Sequence, residues 1–237
     1  MSHPAFILLI VLGFSCAKQK LPVGTNVLLP DTSSNTISGT LWSYLALGDS
    51  YTIGQSVSES ERFPAQTVSI LRHLGVKIGI PVYIAQTGWT TANLQQAITN
   101  QNPSTFNVVT LLIGVNDQYQ RVDTGTYAIR FSQLLEKAIQ LAKGNKANVF
   151  VLSIPDYSAT PFVATADKTR ISTEIDWFNR INERVTLFNG VSYTDITPST
   201  RQAATNASLI ATDNLHPSGS EYRKWAEILA PKIKAVL

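Results

Sequence analysis

Short apolar runs alternate with amphipathic stretches from Leu41 onward, and the alternation predicts a repeating strand–helix order. "WSYLALG" reads as a first strand. "FPAQTVSILRHLG" spaces Phe63, Val68, Leu71 and Leu74 near helical intervals, with Pro64 early and Gly75 at the end. "PVYIAQTG" reads as a second strand and "TANLQQAITNQ" as a helix. "NVVTLLIG" is continuously apolar, as expected of a strand covered on both faces. The stretch from Thr124 to Asn145 puts Tyr127, Phe131, Leu134, Leu135 and Ala138 on one helical face and stops at Gly144. "ANVFVLSIP" is a fourth strand. "ISTEIDWFNRINERVTLF" is a helix with Ile175, Phe178 and Ile181 on one stripe, and "VSYTDI" is a weaker fifth strand. The last helix opens with Ser218 and Glu221 at capping-box spacing and buries Tyr222, Trp225, Ala226 and Leu229. Pro231 is expected to kink or break it.

Five strands separated by helices predict an α/β fold with a five-stranded parallel sheet and helices on both faces. There is no internal repeat. Asp156 to Arg170 is longer than the usual connection from strand to helix. It leaves the C-terminal end of the fourth strand, where open α/β sheets place ligands. It is read as a rim or lid loop carrying Tyr157 and Phe162.

Composition narrows the function classes. The 237 residues are 44% apolar and 15% charged, with net charge +3. That is a globular chain without the basic excess of a nucleic-acid binder. One cysteine, Cys16, excludes an internal disulfide, and three scattered histidines lack metal-ligand spacing. The N-terminal run from Ala5 to Phe14 is too short to span a bilayer but fits the apolar region of an export signal. With Ser15 and Cys16 behind it, residues 1–16 resemble a bacterial lipoprotein signal in which Cys16 is lipidated. The segment lacks Lys and Arg, and Gly13 stands where such signals prefer Leu. Residues 17–40 read as a tether. The expected protein is exported, periplasmic or outer-membrane-anchored, touching a membrane only through that lipid, and monomeric.

The candidate chemistry collects at strand ends. The first strand stops at Gly48-Asp49-Ser50, the second at Gln86-Thr87-Gly88, and the third at Gly114-Val115-Asn116-Asp117. "TDNLHPSG" follows the fifth. Parallel strands bring these four points to one edge. A serine hydroxyl needs a base. His216 is the histidine placed at this edge, and Asp213 lies close enough in sequence to orient it. Developing negative charge on a carbonyl oxygen needs donors. The Ser50 N–H, the Gly88 N–H and the Asn116 amide can supply them. Asp49 and Asp117 are read as braces for their loops. Trp89, Tyr119 and Tyr157 are candidates to face the site.

These blocks resemble the SGNH (GDSL-type) esterases and lipases over Leu41 to the C-terminus. "GDSY" corresponds to the first block, Gly88 to the second, Gly114-x-Asn116-Asp117 to the third and Asp213-x-x-His216 to the last. Tyr51 stands where the family usually has Leu. The resemblance implies a flavodoxin-like three-layer α/β/α sandwich over residues 41–237. It also implies a catalytic triad of Ser50, His216 and Asp213, and an oxyanion hole of Ser50, Gly88 and Asn116. Neither metal nor organic cofactor is implied. The expected substrate is a small carboxylic ester, with Trp89, Tyr157 and Phe162 as pocket candidates. A deacetylase of O-acetylated carbohydrate is the alternative within hydrolases. Outside them stand a non-catalytic surface-binding lipoprotein and a flavodoxin-like nucleotide binder. Asp49 would repel a phosphate, and the chain has no Gly-rich phosphate loop or partnering lysine.

Overall fold

A computed structural model describes residues 41–237; the signal segment 1–16 with Cys16 and the tether 17–40 lie outside the described residues. Five strands form one all-parallel sheet: β1 (Tyr44–Gly48), β2 (Val82–Ala85), β3 (Val108–Leu112), β4 (Val149–Leu152) and β5 (Ser192–Thr194), in the order β2-β1-β3-β4-β5. β1, β3 and β4 are buried along their whole lengths, which is why their sequences do not alternate. β2 and β5 lie at the edges and stay partly open.

The longer helices are α2 (Phe63–His73), α3 (Thr91–Gln101), α5 (Thr124–Leu141), α6 (Lys168–Phe188) and α8 (Gly219–Lys234). α2 packs on α8; α3 packs on α5, and α5 on α6. The architecture is a three-layer α/β/α sandwich: the parallel sheet with helices on both faces that the strand–helix order predicted, and the layering that the resemblance implied. Chain direction around the sheet reverses between β1 and β3, and a crevice opens outside the carboxyl ends of strands at such a point. Three short helices, α1 (Ser50–Ile53), α4 (Val115–Tyr119) and α7 (Thr197–Arg201), are too brief for periodicity to signal.

Several local expectations are corrected. Leu74 is exposed, because α2 ends at His73 and Leu74 is already its C-cap. α8 runs through Pro231 to Lys234. Pro231 and Glu227, whose carbonyl loses its donor, are both exposed, so water can replace the missing bond. The capping box at Ser218 is half formed. Ser218 Oγ accepts from the Glu221 N–H, but the Glu221 carboxylate turns away and accepts from Trp225 Nε1 at 2.8 Å. Ile181 is only half-buried; next to it, buried Asn182 accepts the Tyr127 hydroxyl at 2.7 Å.

Candidate active site

β1 delivers Ser50 to the carboxyl edge of the sheet as the first residue of α1. The Ser50 N–H therefore has no intrahelical acceptor. Asp49 caps the helix: its Oδ1 accepts from the Tyr51 N–H at 3.0 Å. Asp49 is fully buried, and burial, helped by nearby Asp117, pushes its carboxyl up to about 8.

The loop from Ile210 to Pro217 brings His216 over Ser50. Its ends close by a bridge between Ile210 and Pro217 and by an Ala211 N–H to His216 carbonyl bond of 2.8 Å. Asp213 shapes the turn within. Its Oδ1 accepts from the Leu215 and His216 N–H groups, and its Oδ2 lies 2.6 Å from His216 Nδ1. Ser56 Oγ donates to the same Oδ2 at 2.6 Å. Burial opposes ionisation of Asp213, but the bonds from Ser56, His216 and the two backbone donors outweigh it and hold the carboxyl well below its usual range. An ionised Asp213 can only accept, so the proton belongs on His216 Nδ1. That leaves the lone pair on Nε2, which lies 2.9 Å from Ser50 Oγ. Ser50 and His216 are both buried.

Asn116 arrives from β3. Gly114, at φ +129°, turns the chain into α4, and a Cβ there would fall on the Tyr127 hydroxyl. Asn116 Nδ2 donates to the Trp89 carbonyl at 3.0 Å, which uses one of its two hydrogens. Asp117, buried behind it, accepts from the Thr91 N–H at 2.8 Å and from Thr91 Oγ1 at 2.6 Å. These bonds lock the loop after β3 to the loop after β2. Gly88 forms a turn in the latter with φ +82°, a conformation that costs other residues energy.

A cavity of about 200 Å³ opens over this group. Ser50, Asn116 and His216 reach it, and Tyr51, Val115, Tyr119, Tyr157, Phe162 and Leu215 wall it. The loop from Asp156 to Arg170 does contribute Tyr157 and Phe162 to the rim. The Phe162 N–H donates to the Asn214 carbonyl at 3.2 Å, tying the rim to the His216 loop. Gly88 and Trp89 are not among the cavity walls. Trp89 packs partly buried against the core, and its contribution to the site is the carbonyl that holds Asn116. Sequence reasoning missed Ser56, Val115 and Leu215. Leu215 could have been inferred from its place between Asp213 and His216. Among the described residues, no cluster of His, Cys, Asp and Glu could hold a metal ion, and no helix is long and apolar enough to cross a membrane.

Residues 46–224 match the profile of the GDSL-like Lipase/Acylhydrolase family. The chain belongs to that family. Membership makes the protein a carboxylic-ester hydrolase, and the matched span contains every strand-end block described above. No curated protein matches the chain. Among solved structures, it is similar to a lipase/acylhydrolase from Enterococcus faecalis (17% identity, 83% of this chain and 97% of that one, TM-score 0.63). It is also similar to Axe2, an acetylxylan esterase from Geobacillus stearothermophilus (19% identity, 82% and 95%, TM-score 0.61). A third similar structure is TesA (18% identity, 82% and 99%, TM-score 0.62). At these identities the likeness to solved structures is one of fold. The GDSL-like family and the three-layer fold agree with the arrangement of strand ends.

Proposed function

We propose that the protein cleaves small or medium carboxylic esters through an acyl-enzyme. Ser50 is the nucleophile, His216 the general base and then acid, and Asp213 the group that orients and stabilises the imidazole. The observation that carries this reading is the continuous relay from Asp213 Oδ2 through both ring nitrogens of His216 to Ser50 Oγ, at 2.6 and 2.9 Å. Ser50 attacks the carbonyl carbon as its proton passes to His216 Nε2. The oxyanion is received by the Ser50 N–H and the remaining Asn116 Nδ2 hydrogen; Gly88 does not wall the cavity, and the family resemblance alone assigns its N–H as a third donor. His216 then protonates the leaving alcohol, and water activated by the same nitrogen releases the acid.

The aromatic and aliphatic walls of the cavity favour an apolar chain on the substrate. O-acetylated carbohydrate is the second reading. It is favoured by Tyr119 and Phe162, whose exposed rings at the rim could stack on a sugar. The purified protein is expected to hydrolyse p-nitrophenyl acetate or butyrate, and Ser50→Ala to abolish this. Full activity in Ser50→Ala would overturn the nucleophile assignment. Comparing simple esters with acetylated oligosaccharides separates the two substrate readings.

We also propose that residues 1–16 direct export and that Cys16 carries the lipid anchor. Incorporation of a fatty-acid analogue is expected in the wild type and absent in Cys16→Ser; no incorporation in the wild type would refute it.

A further inference from the structure

A second, much smaller cavity adjoins the first. It measures about 20 Å³ and extends toward Thr200, Ile210 and Glu221. That is room for about one water molecule. Tyr51, Tyr157, Leu215 and His216 wall both cavities, so these four side chains form the partition between them.

The four differ in how firmly they are placed and in what else they do. His216 belongs to the relay. Tyr157 is pinned by its hydroxyl, which donates to Gln118 Oε1 at 2.8 Å, and by an edge contact with Tyr119. Leu215 is half-buried in the turn that Asp213 shapes. Tyr51 directly follows Ser50, is 3% exposed, and sets its ring 5.0 Å from the His216 ring at an interplanar angle of 54°. Its hydroxyl makes no hydrogen bond to another described residue, but it is not among the fully buried unpaired oxygens. The Asp49 cap holds the Tyr51 backbone, and its ring packs against His216. The ring lies against the base and walls both cavities.

We propose that the Tyr51 ring is the stop that limits the length of the aliphatic chain the active site accepts. A chain entering beside Ser50 meets this ring before it can reach the second cavity. Removing the ring joins the two cavities and adds the volume of the ring itself. The inference rests on the ester-hydrolase reading of the same site. It predicts a change in the ratio of activities between chain lengths, which loss of His216 packing alone would not produce.

The test measures kcat/KM for two ester series in wild type, Tyr51→Ala, Tyr51→Leu and Tyr51→Phe. One series varies the acyl chain of p-nitrophenyl esters, and the other varies the alcohol of acetate esters. Each further methylene that finds an apolar place is worth about 0.8 kcal/mol, or roughly fourfold. Tyr51→Ala is expected to raise the long-to-short ratio about tenfold or more in the series whose chain occupies the cavity. Tyr51→Leu should give a smaller rise in the same series, and Tyr51→Phe should keep the wild-type ratio. If Tyr51→Ala does not fold, Tyr51→Leu decides. Unchanged ratios in both series would overturn the inference, as would a Tyr51→Phe shift equal to that of the smaller residues. Those outcomes leave the ester-hydrolase reading standing if the wild type is active and Ser50→Ala is not. An inactive wild type on both series overturns both.

Discussion

Ser56 Oγ and His216 Nδ1 converge on one oxygen of Asp213, each at 2.6 Å. Ser56 reaches it from the loop behind α1, with φ +67°, so the loop that follows the nucleophile also supports the far end of the relay.

Ser56→Ala removes one of the hydrogen bonds that hold the Asp213 carboxyl below its usual range. A carboxyl held below its usual value contributes stability at pH above the unfolded-state value, and that contribution is lost as pH falls through the folded-state value. Without Ser56 the folded-state value rises, so the acid-unfolding midpoint is expected to move to higher pH. A hydrogen bond to a charged group contributes about 1.5–3 kcal/mol, and the exposed position of Ser56 favours the low end. At neutral pH kcat should therefore fall by no more than about tenfold, with KM preserved. Ser56 is a positioning residue, and an unmoved acid midpoint together with unchanged kcat would refute that role.

Asn116 has one amide hydrogen committed to the Trp89 carbonyl and one available to the cavity. Asn116→Ala is expected to lower kcat by roughly 10²–10³ with little change in KM, as for loss of one oxyanion donor. Asn116→Asp keeps the shape but places carboxylate oxygens where negative charge develops, so it should be no more active. Near-normal kcat in Asn116→Ala would mean that the backbone donors suffice.

The fold was legible because its signals are local and repeated. β1 and β4 are apolar runs, β3 is broken only by buried Thr110, and the buried faces of α3 and α5 recur at helical spacing. The strand-end blocks were legible because a parallel sheet sends every strand's carboxyl end to one edge. Contacts made outside those blocks were not legible. Nothing in "IGQSVS" marks Ser56 as the partner of a residue 157 positions away. Trp89 follows a predicted site glycine, yet it enters the site through its carbonyl, which no side-chain pattern reports. Tyr51 read as an unexplained departure from the family's usual Leu. Its contact with His216 depends on how a loop 165 residues further along the chain folds back.

Asp49 links burial at the nucleophile to the pH dependence of stability. Its carboxyl is fully buried and caps α1 through Oδ1, while Oδ2 has no partner among the described residues. Burial raises the folded-state value to about 8, against an unfolded value near that of a free aspartate. A group raised in this way contributes stability that is complete below the unfolded value and is lost as pH rises through the folded value. The wild type should therefore be more stable at pH 5 than at pH 8. Asp49→Asn keeps the accepting oxygen and the size of the side chain but cannot ionise, so it should flatten this slope. A tenfold change in proton affinity corresponds to about 1.4 kcal/mol. Urea unfolding at the two pH values should show the wild type losing at least about 1 kcal/mol more than Asp49→Asn. Equal slopes in the two proteins would mean that Asp49 titrates as an ordinary carboxylate despite its burial, with water or another donor reaching Oδ2.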